Sequence, residues 1–400
     1  MRRGAVLLCL AGLTASCGLT TADSPRSRTP AAVAAAPESG APSPTPAPEA
    51  TPTPTAALCS NLAVISSWSL SRRAAQLVVV PVDETALDAA AGSVTAGAGG
   101  VILFGDMAPA TLAESLRSLE RLAPAGIRPL VMADEEGGGI QRMANLVGSL
   151  PWPATDAATM SPGALRSLVA QVARQMAAAG VTMDLAPVLD LASGPGPDAQ
   201  HTDGPRSFGL DPKSAVDYGL AFAQGLEDGG VIPVVKHFPG EGATSANTDY
   251  GPASTPLLSE LEGNDLLPFE AAIRAGLPAV MVGDASVPGL TAMPASLSGP
   301  VISGLLRDRL GFHGLVLTDS LSAKAIADLG ISVAQAAVEA VVAGADMVLF
   351  NSDTPNTTFQ QVVQALVAAV STGRISPGTL DSAVEQVLAV KGVNLCSAGS

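Results

Sequence analysis

The sequence repeats one alternation eight times: a short apolar run, then a longer stretch with helical spacing. The apolar runs show little polar alternation, which is typical of parallel strands buried on both faces. Eight such strand and helix units predict an α/β protein with a single-domain (β/α)8 TIM barrel. An open doubly wound sheet is the alternative, but no G-x-G-x-x-G segment follows the first run. The predicted strands are 76–82, 100–104, 129–133, 181–185, 231–235, 279–282, 315–317 and 345–350, and the clearest helices are 165–179, 214–226, 302–310, 333–343, 359–370 and 380–390.

Residues 1–17 combine two arginines, a short apolar core and a final Cys17. This order resembles a bacterial lipobox and predicts a lipoprotein signal peptide, with Cys17 lipidated to anchor an exported protein in the membrane. An ordinary secretory signal cleaved nearby is the alternative. Residues 18–57 are rich in Pro, Ala, Ser and Thr, which predicts an extended linker. The folded domain is then expected at 58–400.

Four cysteines occur in the chain, and two of them fall in the signal segment. The other two, Cys59 and Cys396, lie near the two ends of the folded part. Export permits oxidation, and domain ends are often close in space. A Cys59–Cys396 disulfide is therefore predicted, with two free thiols as the alternative.

The overall charge narrows the range of ligands. A formal net charge of −15 argues against nucleic acid as a partner, because phosphates require a basic face. Three histidines in the whole chain, no two at a metal-binding spacing, argue against a metal hydrolase.

Polar residues follow nearly every predicted strand. In a barrel these positions converge on one rim, which carries the chemistry. Asp83, Asp106 and Asp353 are interpreted as turn or cap residues. A Lys-His pair directly after a buried run is costly without a polar partner, so a functional role is expected for it. The set comprises Asp83, Asp106, Asp134, Asp190, Lys236 with His237, Asp284, Asp319, and Asn351 with Asp353.

Five motifs then point to one family. The sequence reads DEEGGGIQR at 134–142, APVLD at 186–190 with RSF at 206–208, KHFPGEG at 236–242, PASLS at 294–298 and GFHGLVLTDSLSAKAI at 311–326. Together these resemble family 3 glycoside hydrolases, in the single-domain β-N-acetylhexosaminidase branch that includes bacterial lipoproteins. The resemblance extends over roughly residues 65–392.

The resemblance implies a retaining glycosidase that removes terminal β-linked N-acetylglucosamine, from cell-wall-type glycans in an exported protein. It implies that Asp319 is the nucleophile. It also implies that no metal or organic cofactor is used, and a monomer is expected. Asp134, Arg142, Arg206, Lys236 and His237 match the family residues that hold sugar hydroxyls.

The loop after KHFPG departs from the family pattern. The family's acid/base there is a histidine, held by an aspartate two residues earlier, whereas this chain has Asp249 and Asn247. Glu241 and Asp284 also stand where the family has histidines. Two interpretations follow. Either a carboxylic acid, provisionally Asp249 with Glu241 as the alternative, is the acid/base, or the chain is a catalytically degenerate lipoprotein that binds glycan.

Overall fold

Eight parallel strands close into a barrel in which each strand pairs with its neighbours along the chain. The computed structural model describes residues 60–396. The ring closes where Val78 of the first strand pairs with Val348 of the last. Every predicted strand segment overlaps one of these strands, so the (β/α)8 prediction is confirmed. The strands are β1 Val78–Asp83, β2 Gly100–Phe104, β3 Leu130–Ala133, β4 Met183–Asp184, β5 Ile232–Phe238, β6 Ala279–Val282, β7 Leu315–Ser320 and β8 Met347–Leu349.

Helices surround the barrel and fill the connections between strands. The α-helices are Asn61–Ile65, Leu70–Ala75, Ala91–Thr95, Leu112–Glu120, Ala144–Val147, Pro153–Thr159, Pro162–Ala179, Pro212–Asp228, Leu258–Leu261, Leu266–Arg274, Lys324–Ala327, Val333–Ala343, Pro355–Ser371 and Pro377–Val390. Short 3-10 turns occupy Leu87–Ala90, Pro124–Gly126, Gly204–Arg206 and Ala295–Leu297. Pro300–Arg309 is a π-helix. The apolar spacing that predicts a helix at 302–310 does not distinguish π from α winding.

The longer helices begin and end at residues whose chemistry suits those positions. Ser161 accepts a hydrogen bond from the Ala164 amide, ahead of a proline at the first helical position. Ser332 and Gln335 form a reciprocal capping box. The helix that begins after Ser332 ends at Gly344, which adopts a left-handed conformation.

Two apolar layers stabilise the barrel. Val79, Ile102, Met132 and Leu317 belong to the cluster that fills its interior, and a larger cluster lies between the strands and the helices. The last helix, Pro377–Val390, contributes Val387 to the interior cluster.

Two short hairpins are added to the barrel. One pairs Glu135–Gly137 with Ile140–Gln141, directly after β3. The other pairs Ser286–Val287 with Thr291–Pro294, after β6. Both follow the carboxyl ends of strands, so they build the same rim of the barrel.

The predicted signal segment and linker, with Cys17 and Cys59, lie outside the described residues. Cys396 is disulfide-bonded. The Cys59–Cys396 pairing and the domain limits therefore stay predictions. Among residues 60–396, no helix has both the length and the apolar character needed to cross a membrane.

Candidate active site

A cavity of about 300 Å³ opens at the carboxyl ends of the strands. Its floor is apolar and comes from the barrel interior, through Leu185, Met281 and Leu349. Nine of the ten predicted site residues line it, namely Asp134, Arg142, Arg206, Lys236, His237, Glu241, Asn247, Asp249 and Asp319. Asp284 is not in the lining; it is 1% exposed and accepts a hydrogen bond from the Ser296 hydroxyl. Asp83, Asp106 and Asp353 are exposed and do not line this cavity.

The hairpin after β3 positions Arg142. The buried carboxylate of Glu135 accepts hydrogen bonds from the Arg142 and Met143 amides, both at 2.7 Å. At its turn, Gly138 has φ +57°, and a Cβ there would lie 1.9 Å from the Trp152 ring. The Arg142 guanidinium consequently lies over Phe104, 5.6 Å from the ring centroid, and 3.5 Å from Asp134 Oδ2.

Two cations and two carboxylates form a buried network on one wall. Lys236 Nζ lies 2.7 Å from Asp134 Oδ1 and 2.6 Å from Glu136 Oε1. Arg206 donates to both oxygens of Glu136, at 2.8 Å each. Burial alone would raise the pKa of Glu136, but Arg206 and Lys236 together hold it well below its usual range. The network is therefore ionised and rigid, ready to bind hydroxyl groups at fixed geometry.

His237 is paired with Asp190. Its Nδ1 lies 2.6 Å from Asp190 Oδ2, and its backbone amide donates to the same oxygen at 3.1 Å. Burial alone would lower the pKa of His237, but the charge and hydrogen bond of Asp190 raise it to about 9. The imidazole is therefore cationic at neutral pH, with Nδ1 protonated. The peptide between Lys236 and His237 is cis.

The cavity lining at the end of β7 is acidic. Asp319, near the end of β7, accepts a hydrogen bond from the Ser320 amide at 2.7 Å. Asp249 is exposed at the mouth, where burial of part of its surface and then the charge of Asp319 raise its pKa. Asn247 anchors this loop, since its side chain donates to the Asp198 carbonyl and accepts from the Asp249 amide. Asn247 thus holds the backbone of Asp249 and not its carboxylate.

Glu136 is the residue that the sequence reasoning missed. It is buried between Lys236 and Arg206 and lines the cavity. Side chains two residues apart in an extended chain point to the same side, so the pairing of Asp134 with Glu136 was readable from spacing.

One set of three side chains has the geometry of a metal site. Candidate ligand atoms of Asp190, Asp203 and His237 lie within 4.8 Å of one another. Arg206 Nη1 already lies 3.1 Å from Asp203 Oδ1, and the imidazole beside Asp190 is protonated. These two cations supply the positive charge that a metal would bring, so the set fits a metal poorly.

Residues 69–390 match the family described as Glycosyl hydrolase family 3 N terminal domain. Beta-hexosaminidase LpqI of Mycobacterium tuberculosis is 36% identical over 330 residues, which cover 80% of this chain and 82% of that protein. The solved structure of M. tuberculosis LpqI superposes with a TM-score of 0.76 at 34% identity, covering 84% of this chain and 98% of that one. The Beta-N-acetylhexosaminidase from Beutenbergia cavernae gives a TM-score of 0.75 at 30% identity, covering 82% and 100%.

Proposed function

This chain belongs to glycosyl hydrolase family 3, and we propose that it removes terminal β-linked N-acetylglucosamine from cell-wall-type glycans with retention of configuration. One observation carries the proposal: Asp319 shares a single barrel mouth with the prebuilt Lys236–Asp134–Glu136–Arg206 network. A carboxylate beside a rigid hydroxyl-binding wall is what a glycosyl-enzyme mechanism requires.

In the first step, the Asp319 carboxylate attacks the anomeric carbon while the glycosidic C–O bond breaks. Asp249 gives its proton to the leaving oxygen, which departs as an alcohol. A raised pKa suits this acid role, and burial and Asp319 both raise the pKa of Asp249. Asp249 is also exposed at the mouth of the cavity, which is the side from which a leaving glycan must exit.

In the second step, water attacks the anomeric carbon of the glycosyl ester and gives a proton to Asp249. Esterification of Asp319 removes the negative charge that raises the pKa of Asp249. The pKa of Asp249 should therefore fall in the intermediate, which suits its change from acid to base. As the new C–O bond forms, the ester bond to Asp319 breaks. The sugar is released, and Asp319 regains its negative charge.

Kinetics on an aryl β-N-acetylglucosaminide test this assignment. Asp319→Ala should lower kcat/KM by at least about 10³-fold, because the covalent step is lost. Asp249→Ala should lower it strongly for poor leaving groups and much less for activated ones, because only the former need a proton. Asp353→Ala is the matched control, since Asp353 lies outside the cavity lining.

Turnover that survives Asp319→Ala would refute the nucleophile assignment. Saturable sugar binding without turnover by the wild-type chain would instead support the degenerate glycan-binding alternative. An acid role for Glu241 would be indicated if Asp249→Ala left the poor leaving groups unaffected.

We extend the proposal to location: the enzyme is exported and held at the membrane by a lipid on Cys17, and it acts as a monomer. The signal-like order of residues 1–17 supports the anchor. Mass spectrometry of the mature N-terminal peptide should show acylation of Cys17, and Cys17→Ala should release the protein from the membrane fraction. Gel filtration of the Cys17→Ala protein checks the monomer.

A further inference from the structure

A second cavity, of about 440 Å³, lies at the other end of the barrel from the candidate active site. Its walls come from the end of the helix Leu112–Glu120 and from the loop that leads into β3 at Leu130. A loop that precedes a strand lies at the amino end of that strand, whereas the candidate active site opens at the carboxyl ends. We call this the arginine cavity, and its lining consists of Arg117, Glu120, Arg121, Ala123, Gly126 and Arg128.

Three exposed guanidinium groups share the arginine cavity with one carboxylate. Among residues 60–396, Arg128 is the one of the three that lies within ion-pair distance of a carboxylate, 3.6 Å from Glu120 Oε2. Arg121 donates instead to the Ser118 hydroxyl at 2.8 Å. The cavity therefore carries surplus positive charge in a chain whose net charge is −15. Elsewhere on the described surface, a separate carboxylate pairs with each of six exposed cations, namely Arg166, Lys213, Arg274, Arg309, Lys324 and Arg374.

The same loop also exposes an apolar side chain. Leu122, next to Arg121, is 44% exposed. The 3-10 turn Pro124–Gly126 follows, and in it the exposed Ala125 has φ 55°. Arginines beside an exposed leucine suit the surface of a bilayer, because the guanidinium groups bind headgroup phosphates while the leucine enters the acyl boundary. A soluble phosphate polymer would use the cations alone.

The chain enters the described part of the domain at the amino end of the barrel. The Asn61 side chain donates to the Val393 carbonyl at 3.4 Å and accepts from the Leu395 amide at 2.8 Å. Lys391, two residues before Val393, donates to Gln76 Oε1 at 3.0 Å. Gln76 lies two residues ahead of β1, so these contacts are made at the amino end of that strand.

Gln76 also connects this entry point to the arginine cavity. Its Nε2 donates to the Gly97 carbonyl at 2.8 Å. A Cβ on Gly97 would lie 3.5 Å from Pro124 Cγ, and Pro124 belongs to the loop that forms the cavity. The chain that leads from the proposed lipid on Cys17 therefore enters the domain at the end that carries the arginine cavity.

We propose that Arg117, Arg121 and Arg128 bind the phosphate headgroups of anionic phospholipids, so that the domain sits on the membrane with its candidate active site facing outward. The inference rests on the proposed membrane location and not on the proposed hydrolysis. The planar guanidinium fork matches two phosphate oxygens at once. The net charge of −15 supports the orientation, because an anionic bilayer repels the acidic faces of the domain and attracts this one.

Hydrogen exchange on vesicles tests this contact. The full chain with Cys17→Ala is held on the vesicle by an N-terminal hexahistidine tag and a nickel-chelating lipid, which replaces the proposed anchor. Peptides that cover residues 117–128 should exchange at least about threefold more slowly on vesicles with phosphatidylglycerol than on pure phosphatidylcholine vesicles. Residues 351–354, which follow β8 at the carboxyl end, should exchange at equal rates on both.

The double change Arg117→Gln with Arg121→Gln should remove this protection, since each guanidinium near the surface favours docking by about fivefold. Both side chains are exposed, so the variant should fold with an unchanged Tm. Lys213→Gln with Lys324→Gln is the matched control. It removes the same charge from exposed residues in the first turns of two helices that follow strands, and it should keep the protection.

Equal exchange of residues 117–128 on the two kinds of vesicle overturns the inference, and so does protection that survives Arg117→Gln with Arg121→Gln. Soluble polyphosphate, added to phosphatidylcholine vesicles at the same phosphate concentration, is the third arm. Stronger protection by polyphosphate than by phosphatidylglycerol would assign the cavity to a phosphate polymer and overturn the membrane assignment. Because the tag replaces the lipid, a failure of Cys17 acylation is distinguishable from a failure of the headgroup contact.

Discussion

Replacing Asp190 by asparagine should change the charge state of His237. The pKa of this imidazole lies at about 9, against an ordinary value of 6.5, although burial alone would lower it. The charge and hydrogen bond of Asp190, with a smaller contribution from the charge of Asp319, must therefore supply more than the whole difference, which corresponds to about 3 kcal/mol or more. In Asp190→Asn, burial and Arg206 oppose protonation and outweigh the remaining charge of Asp319, so we expect the pKa of His237 to fall below about 6.5.

The same change should alter the pH dependence of stability. Native His237 keeps its proton up to about pH 9, whereas the unfolded chain loses it near 6.5. The pair's contribution is thus complete below pH 6.5 and is lost as the pH rises to 9. The free energy of unfolding that Asp190→Asn removes should be largest near pH 6. It should shrink by up to about 1.4 kcal/mol for each pH unit above 6.5.

Proton NMR of the imidazole resonances measures the pKa directly. The chain has three histidines, so His237→Gln identifies the resonance. Asp198→Asn is the matched control, because Asp198 pairs with the exposed His201 and should affect that ring alone. A His237 resonance that titrates within half a pH unit of the wild type in Asp190→Asn would refute the argument. Denaturation in urea between pH 6 and 9 checks the stability difference.

Three further changes test the fold around the site. Lys236→Met leaves Asp134 and Glu136 without their shared cation and should cost about 3–5 kcal/mol at pH 7. Because Lys236 helps lower the pKa of Glu136, this loss of stability should shrink as the pH falls. Urea denaturation measures the loss at pH 7 and at pH 4. An equal loss at both would contradict the prediction. Gly138→Ala should destabilise by about 1–3 kcal/mol through the clash with Trp152, seen as a lower Tm; an unchanged Tm would show that the hairpin adjusts freely. Ser332→Ala should cost about 1 kcal/mol of chemical stability through loss of the capping box, whereas Ser371→Ala, at an exposed helix end, should cost less.

The barrel was predictable because its strands are buried on both faces. Such strands appear as continuous apolar runs, and each of the eight runs overlaps an observed strand. The end of β5 was harder to predict from the sequence, because the strand continues through Lys236 and His237 to Phe238. A lysine inside a buried strand is explained only by the carboxylates of Asp134 and Glu136, just after β3 and about a hundred residues earlier in the chain.

The residues that form the candidate site were predictable from the sequence, but the role of each carboxylate was not. Nine of the residues predicted from the motifs line one cavity. The sequence could not separate Asp249 from Glu241, because both are carboxylates in one loop. Exposure separates them: Asp249 lies at the mouth, and Glu241 is buried in the wall. Burial depends on the neighbouring connections, which no local pattern contains.

The closure of the ring has a consequence for biosynthesis. Val78 pairs with Val348, and Val387 reaches the interior cluster from the final helix. A nascent chain therefore exposes the edge of β1 until almost the whole domain has left the ribosome. Partial barrels with open edges are prone to aggregation, so we expect truncation before β8 to yield insoluble protein.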